Sequence, residues 1–351
     1  MDRGAEIAFM AIGSELARLG DEVTLMGAGP ARPAKAYRFI QSPAAKRERF
    51  ERWPTLPMLR GNTAWEELTF LPGLLRHYRP HDYDVTLTCS FPFTNMALRR
   101  PRLGGPRPPH VFVTQNGDWP AFSDKSEFGL FDCEGLVCTN PDYQERNAGR
   151  YRTALIPNGV DVARFAPGKA EPESFGLDPA RPVVLMVSAL IESKNVADGI
   201  KAVAAIDDAV LVVAGDGPLR GELQQLADRI LPGRYRTISV AADKMPVLYR
   251  SADLFLHLSR NESFGNVFIE ALASGTPIVA HDLPRTRWIL GDEAHYVAGE
   301  AVEAIAGALS AALAGKKAGS ERRAASARKY DWASVASRYR DFLSEVIEAS
   351  R

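Results

Sequence analysis

The residues most able to do chemistry lie in one short segment, NESFGNVFIEALASGTPIVAHD, which runs from 261 to 282. The apolar run DLFLHLS (253–259) before it reads as a buried strand, so Glu262 falls in the loop at that strand's carboxyl end. In open α/β sheets, ligands bind at this edge. Glu270 lies further on, within the helix that follows, where its carboxylate could hold a ribose diol. Glu262 could accept hydrogen bonds from hydroxyl groups.

A phosphate site is predicted between the two glutamates. Gly265 allows the backbone to approach a ligand closely, and the amides of Asn266 and Val267 open the next helix, where they could donate to an anion. The plainer interpretation of Glu262 and Glu270 is a charge near a helix start and a solvated helix residue. For either glutamate alone, the two interpretations stay open.

Alternating strands and helices must position this segment. The 351 residues exceed one ordinary core and suit two domains. Short buried strands separated by amphipathic helices predict parallel sheets with helices on both faces. The predicted strands are 22–27, 84–90, 110–114, 135–139, 182–188, 209–215, 237–240, 253–259 and 277–280.

A turn-rich stretch, LIPNGVDVARFAPG (155–168), separates two such series. We predict an N-terminal Rossmann-like domain over 1–155, a C-terminal one over 156–330, and an amphipathic helix over 331–351 that crosses back to the first domain. A doubly wound domain normally opens on a central strand. Here helix 5–19 comes almost first, so the first strand is expected to be missing, through truncation or an unusual first domain.

Composition excludes several classes of protein. The chain has 43 basic and 43 acidic residues and a net charge of zero, so no global field attracts nucleic acid or membrane. Three cysteines argue against a disulfide framework and fit a reducing cytosol. No apolar run reaches the roughly 20 residues that a membrane span needs. Basic residues do cluster at two places, most simply as solvated faces: Lys46, Arg47, Arg49, Arg52 and Arg99, Arg100, Arg102, Arg107.

The 261–282 segment resembles the signature of the family 4 retaining glycosyltransferases, also called group 1, which have the GT-B fold. Phe264-Gly265 follows the first glutamate, Glu270-Ala271 forms the second, and Gly275-Thr276-Pro277-Ile278-Val279-Ala280 comes next. Other matches lie across most of the chain: Ile156 to Asp161 with Phe165, Lys194, Gly215-Asp216-Gly217-Pro218, and Gly4-Ala5-Glu6. The resemblance implies two Rossmann-like βαβ domains that face each other across a cleft.

The resemblance also implies residue roles. The C-terminal domain would bind a nucleotide sugar, with Glu270 on the ribose, Lys194 on the diphosphate and Glu262 on sugar hydroxyls at the reacting side. Phe264 and Gly265, with Asn266, Val267 and Gly217, would complete the donor site. A lysine and helix-start amides suit a leaving diphosphate, since both stabilise developing negative charge. A lone loop lysine is otherwise most simply a solvated charge.

Two further departures from the family pattern bear on the chemistry. Many relatives carry an arginine shortly before the diphosphate lysine, where this chain has Ser188-Ala189. Arg260 could compensate. Many relatives also have a histidine at the end of an N-domain strand, where this chain reads Thr88-Cys89-Ser90.

The acceptor side is predicted from TQNGDW (114–119). Asn116 and Asp118 could hydrogen-bond a sugar and Trp119 could stack on one, although an ordinary Asn-Gly turn is the simpler interpretation. Asp82-Tyr83-Asp84 precedes an apolar strand, so it reads as a turn and no metal site is predicted.

The sequence therefore predicts a metal-independent, retaining transferase that moves a sugar from a UDP- or GDP-linked donor to a hydroxyl acceptor, with no other cofactor. The acceptor would be a carbohydrate or lipid-linked molecule. The predicted location is cytoplasmic, with room for a peripheral contact at the inner face of the membrane. Two alternatives stay open: a nucleotide-sugar epimerase or hydrolase, and a nucleotide-sugar-binding protein without transferase activity.

Overall fold

The chain divides into two compact units. The computed structural model describes residues 4–30, 36–54, 61–101, 105–115, 131–315 and 318–351. The first unit is Met1–Asn158 with Trp332–Arg351, and the second is Gly159–Asp331. The C-terminal helix therefore packs with the N-terminal unit, on helix Gly4–Arg18.

The first unit alternates short strands with helices. Its strands are β1 (Thr24–Gly27), β2 (Arg38–Gln41), β3 (Thr86–Thr88), β4 (His110–Val113), β5 (Gly135–Cys138) and β6 (Thr153–Leu155). Its helices are α1 (Gly4–Arg18), α2 (Gly61–His77), α3 (Phe93–Leu98), α4 (Pro141–Asn147) and, from the end of the chain, α12 (Trp332–Ala349).

Strands β3 to β6 form a parallel sheet in chain order, and β1 pairs with β2 in a separate parallel pair. Among the described residues, α1 precedes every strand. The expectation that the first strand of this domain is missing, through truncation or an unusual first domain, stays a prediction.

Two cores cover the faces of the four-stranded sheet. Alternate residues of a strand point to opposite faces, so Val111 and Val113 pack with Tyr339 and Phe342 of α12. Phe112 lies on the other face, with Phe131. The helix lies close to the sheet at Gly135, where an added Cβ would come within 2.7 Å of the Val346 side chain.

The second unit is a doubly wound domain with one six-stranded sheet. Its strands are β7 (Val183–Val187), β8 (Val210–Ala214), β9 (Tyr235–Ile238), β10 (Leu254–His257), β11 (Ile278–His281) and β12 (Ala294–Val297). Its helices are α5 (Val196–Ala204), α6 (Arg220–Ile230), α7 (Met245–Ser251), α8 (Asn266–Ala273), α9 (Pro284–Leu290), α10 (Val302–Ala314) and α11 (Ser320–Ala327).

The strand order in this sheet is β12-β11-β10-β7-β8-β9, and the pairs are parallel. The chain starts in the middle at β7, winds outward to β9, and then crosses to β10 and winds outward the other way. Both faces are buried, with Leu185 in one core and Val184 and Met186 in the other. This explains the near-continuous apolar runs in the sequence.

The predicted fold class, α/β with two Rossmann-like domains, is confirmed. Seven of the nine predicted strands recur with shorter bounds, and two are shifted at the same length. β11 lies one residue later than the predicted 277–280, and β9 is Tyr235–Ile238, where the sequence predicted 237–240. Tyr235 is buried and Arg236 exposed on this edge strand, so burial begins earlier than the run TISV indicates.

Candidate active site

The candidate site lies where the winding of the second unit reverses. β7 and β10 are neighbours in the sheet, with Val184 opposite Leu254 and Leu185 opposite Phe255. The chain continues from β7 to β8 on one side and from β10 to β11 on the other. The loops that follow β7 and β10 therefore diverge and leave a crevice at the carboxyl edge, where open α/β sheets bind ligands. The two loops are tied together, because Asn195 Nδ2 donates to the Leu258 carbonyl at 2.9 Å.

Lys194 and Glu262 meet in this crevice although they are 68 residues apart. Lys194 ends a short 3₁₀ turn after β7, and Asn195 then takes φ +52°, which redirects the chain into α5. The Lys194 ammonium forms an ion pair with Glu262 Oε1. Both side chains are mostly buried, at 18% and 21% exposed. The structure thus brings two of the predicted residues together. They meet because β7 lies beside β10 in the sheet, a strand order that the sequence did not specify.

Glu262 has a second partner that the sequence reasoning missed. His257, the last residue of β10, lies 3.1 Å through Nε2 from Glu262 Oε1. Burial alone would raise the pKa of Glu262, but the hydrogen bonds and charges of His257 and Lys194 outweigh it and lower the pKa to about 2. Arg285 of α9 donates to the Glu262 backbone carbonyl. Glu262 is therefore a firmly ionised carboxylate.

Gly265 sets the start of α8. It has φ +91°, and an added Cβ would lie 2.7 Å from the Phe268 ring. Only glycine fits both the left-handed backbone and this close approach. Asn266 and Val267 then form the first residues of the helix, so their amides belong to the end of α8 that attracts anions.

Glu270 lies one turn further along α8, apart from the Lys194–Glu262 pair. Its carboxylate accepts a hydrogen bond from the Tyr249 hydroxyl at 2.8 Å. Burial raises its pKa to about 7, and the charge of Arg164 acts in the opposite direction. Neither Tyr249 nor Arg164 was predicted. Tyr249 is buried in the core and looks in sequence like any apolar helix residue.

Two other predicted residues take mainly structural positions. The side chain of Phe264 is buried in the core against Trp288 and Tyr330. A ligand contact from this position would have to come from its backbone. Gly217 packs under the turn after β7, where an added Cβ would lie 2.5 Å from the Leu190 carbonyl oxygen.

The turns after β7 and β8 also border an open hollow of about 440 Å³ beside the site. Its lining residues are Ile191, Glu192, Ser193, Pro218 and Leu219. Arg260, considered as a replacement for the missing arginine, is exposed and forms an ion pair with Glu300.

The acceptor-side residues Asn116, Asp118 and Trp119 lie outside the described residues. The described neighbour Gln115 donates from Nε2 to Asn158 Oδ1 at 2.5 Å. Over the described ranges, no group of three or more His, Cys, Asp or Glu side chains is placed to hold a metal ion. In the same part of the chain, none of the helices combines the length and apolarity that crossing a bilayer requires.

Sequence profiles of known families match both halves of the chain. The family described as "Glycosyl transferases group 1" matches residues 169–332, and the one described as "Glycosyltransferase Family 4" matches residues 3–164. The chain belongs to this family of glycosyltransferases. The family membership predicted from the 261–282 segment is thereby confirmed.

Two curated relatives illustrate what this chain resembles. Alpha-monoglucosyldiacylglycerol synthase of Streptococcus pneumoniae is 28% identical over an alignment of 204 residues, and the match covers 50% of this chain and 45% of that protein. GDP-mannose-dependent alpha-mannosyltransferase of Mycolicibacterium smegmatis is 35% identical over 128 residues, 35% of this chain and 32% of that protein. The matches span less than half the length of these relatives.

A solved structure supports the fold. The Anabaena protein HepE, in complex with UDP and glucose, has a TM-score of 0.74 and 17% identity. The match covers 98% of this chain and 96% of HepE. The likeness extends over both units and identifies the GT-B fold.

Proposed function

We propose that this glycosyltransferase moves a sugar from a UDP- or GDP-linked donor to a hydroxyl group of an acceptor. The single observation that carries the proposal is the Lys194–Glu262 pair at the carboxyl edge of the second sheet, with Glu270 one turn further along the adjoining helix. This order matches the parts of a nucleoside-diphosphate sugar. Glu262 would face the sugar, Lys194 and the start of α8 the diphosphate, and Glu270 the ribose.

Lys194 supplies the charge for the leaving group. Without donor it neutralises Glu262. When the donor enters, the ammonium turns to the diphosphate, whose two negative charges offer a stronger field than one carboxylate. The amides of Asn266 and Val267 stabilise the same anion from the helix side. Because this charge grows as the sugar leaves, the interactions strengthen in the transition state and accelerate the reaction.

Glu270 holds the ribose. Its carboxylate is oriented by the Tyr249 hydroxyl at 2.8 Å, which leaves acceptor capacity for the ribose hydroxyls. Burial raises the pKa of this carboxyl group to about 7, so its ionised form lowers the stability of the fold. Such perturbed groups cluster at functional sites, which supports a binding role.

We propose further that the sugar keeps its anomeric configuration and that no metal takes part. Retention would come from attack on the same face from which the diphosphate leaves, with the phosphate oxygens guiding the acceptor hydroxyl. Lys194 and the start of α8 would take the place of a metal as the source of positive charge. By their names, the first relative synthesises a glucosyl lipid and the second depends on GDP-mannose, whereas HepE was solved with UDP and glucose. Both UDP and GDP are therefore candidates.

A carbohydrate or lipid-linked acceptor, reached through peripheral contact with a membrane, is part of the proposal. An exposed apolar stripe supports it. Leu68 and Leu75 are 38% and 50% exposed and seven residues apart on α2, so helical periodicity puts them on one face. Trp53, 51% exposed, packs its ring edge-on against Trp65 of the same helix. Exposed arginines occur in the same segments of the chain as this α2 stripe, at Arg49, Arg52, Arg76 and Arg79, and the exposed glutamates Glu48 and Glu51 lie next to the first two in sequence.

Calorimetric titration with UDP and GDP tests the donor site. One of the two is expected to bind, equally well with and without EDTA. Lys194→Met should weaken that binding about tenfold to a hundredfold, the loss expected for one charge-assisted hydrogen bond. Lys201→Met is the matched control, since Lys201 also pairs with a carboxylate, that of Asp198, but lies on the exposed side of α5.

Equal affinity of both variants for the nucleotide would reject the role of Lys194. Binding that EDTA abolishes would reject the metal-free donor site. With a binding nucleotide identified, incubation of its sugar conjugates with and without acceptor separates the candidate activities. Transfer requires acceptor, a hydrolase releases sugar without one, and a binding protein forms no product.

A further inference from the structure

His257 occupies an unusual place for an ionisable side chain. It ends β10, in the middle of the sheet, and is only 3% exposed. Its ring stacks on Phe255 at 6.1 Å and meets the edge of Phe268 at 4.6 Å between centroids. Phe255 and Phe268 are themselves 6.4 Å apart between centroids, so the three rings pack against one another as a buried cluster. A buried ring in such a cluster on a central strand has little room to turn, and the packing sets the direction of its Nε2.

Nε2 points at the candidate site. It lies 3.1 Å from Glu262 Oε1, the same oxygen that Lys194 contacts. Among the residues that the structure describes, no hydrogen bond reaches the other oxygen, Oε2. The side chain of Glu262 is 21% exposed, so one carboxylate oxygen is held by the protein and the other is presented to a ligand.

The two partners of Glu262 differ in mobility. Lys194 has a flexible stem on a short loop turn, and a diphosphate would draw its ammonium away from Glu262. His257 has no such freedom. Once Lys194 turns to the donor, His257 is the described side chain that still holds Glu262 Oε1.

On the basis of the proposed function, we infer that His257 is the positioning residue of Glu262: it keeps this carboxylate oriented toward the donor sugar while Lys194 leaves it for the diphosphate. A carboxylate aimed by a fixed donor loses little freedom on binding the sugar hydroxyls, which improves recognition of the sugar rather than of the nucleotide. The alternative is a buried histidine that uses Glu262 only to satisfy its ring nitrogen.

The two roles are distinguished by the sugar's own share of donor affinity. UDP-glucose, UDP-galactose, UDP-N-acetylglucosamine and GDP-mannose are titrated beside UDP and GDP, and the sugar contribution is the ratio of conjugate to nucleotide affinity. His257→Leu is expected to lower this ratio about tenfold to a hundredfold and to leave nucleotide affinity unchanged. A structural role would lower both affinities together.

Two amide variants sharpen the test. The Gln side-chain nitrogen reaches about as far as Nε2 of histidine, whereas the Asn nitrogen takes the place of Nδ1. His257→Gln is expected to restore most of the sugar contribution, and His257→Asn to behave like His257→Leu. Melting curves of all variants show whether each one folds. If His257→Leu proves destabilising, the comparison of His257→Gln with His257→Asn still tests the inference.

A double-mutant cycle with Glu262→Gln decides the pathway of the effect. If His257 acts through Glu262, then adding His257→Leu to Glu262→Gln lowers the sugar contribution no further. Additive losses of the sugar contribution in the double variant, or an equal sugar contribution in the Gln and Asn variants, overturn the inference about His257. Nucleotide binding by the wild type would still support the donor site in either case. Absence of any nucleotide or nucleotide-sugar binding by the folded wild type overturns the proposed function, and this inference with it.

Discussion

Glu270 connects ligand binding to stability at the scale of one residue. Its pKa in the folded protein is raised to about 7 by burial, above the ordinary 4.5. The folded state therefore holds the proton more tightly, and the stability present below pH 4.5 is lost as the pH rises through 7. Glu270→Gln is expected to stabilise the protein by about 3 kcal/mol at pH 8, with a gain that shrinks toward pH 5. Melting curves across this range measure it, and nucleotide titration should show weakened binding.

Glu67 offers a matched control in the first unit. Burial raises its pKa to about 7 as well, and it accepts the amides of Phe93 and Thr94 at 3.1 and 3.2 Å. Glu67→Gln should give the same pH-dependent gain in melting temperature and leave nucleotide affinity unchanged. Similar losses of nucleotide affinity in both variants would contradict a specific role for Glu270.

At the scale of elements, the turn into α8 is the position least tolerant of change. Gly265→Ala would place a left-handed alanine, costing about 1–2 kcal/mol, and its Cβ would collide with the Phe268 ring at 2.7 Å, costing about 1–3 kcal/mol more. The shifted helix start should also weaken nucleotide binding. Urea unfolding and nucleotide titration measure the two effects.

Gly233→Ala separates strain from collision. Gly233 has φ +70° between α6 and β9, with nothing within 4 Å of an added Cβ. This variant should lose only the free energy of unfolding that the left-handed backbone costs, about 1–2 kcal/mol, and bind nucleotide with unchanged affinity. Equal destabilisation of the two variants would show that the Phe268 ring yields and that the turn does not depend on close packing.

The same scale explains what could be predicted from the sequence. The buried strands β7, β8, β10 and β11 are runs of apolar residues bounded by turns, so their existence and the position of Glu262 after β10 followed directly. The strand β2, with pattern RFIQ and exposed ends, has too few apolar residues to be distinguished from a loop. The completely buried strands were thus predicted, and so was β1, whose residues are only partly buried.

Contacts between elements were beyond the sequence. The Lys194–Glu262 pair depends on β7 lying beside β10, and alternation of strands and helices does not determine strand order. The His257–Glu262 contact depends on the eight-residue loop between β10 and α8, which brings Glu262 back to the last residue of the strand. A histidine ending a buried strand just before a loop glutamate was the available signal. Tyr249 gave none, because only the packing of α7 on α8 brings it to Glu270.

At the scale of the whole molecule, charge gives no general attraction to a membrane. The 43 basic and 43 acidic residues cancel, and in the described chain no helix can span a bilayer. Membrane contact would have to come from a local surface, and the α2 stripe with its arginines combines the two required features. Apolar side chains insert at the interface, and arginines beside them favour anionic lipid.

The full-length chain is therefore expected to sediment with phosphatidylglycerol vesicles, to bind phosphatidylcholine vesicles weakly, and to release as salt rises. The double variant Leu68→Ser, Leu75→Ser should lower vesicle affinity about tenfold or more, since each leucine contributes about 1 kcal/mol or more when buried. Ile191→Ser is the control, because it removes a similarly exposed apolar side chain, 38% against 38% for Leu68, from the second unit. Equal losses of vesicle affinity in the two variants would show that binding comes from nonspecific apolar contacts. Binding to both lipids that is insensitive to salt would exclude a role for the arginines.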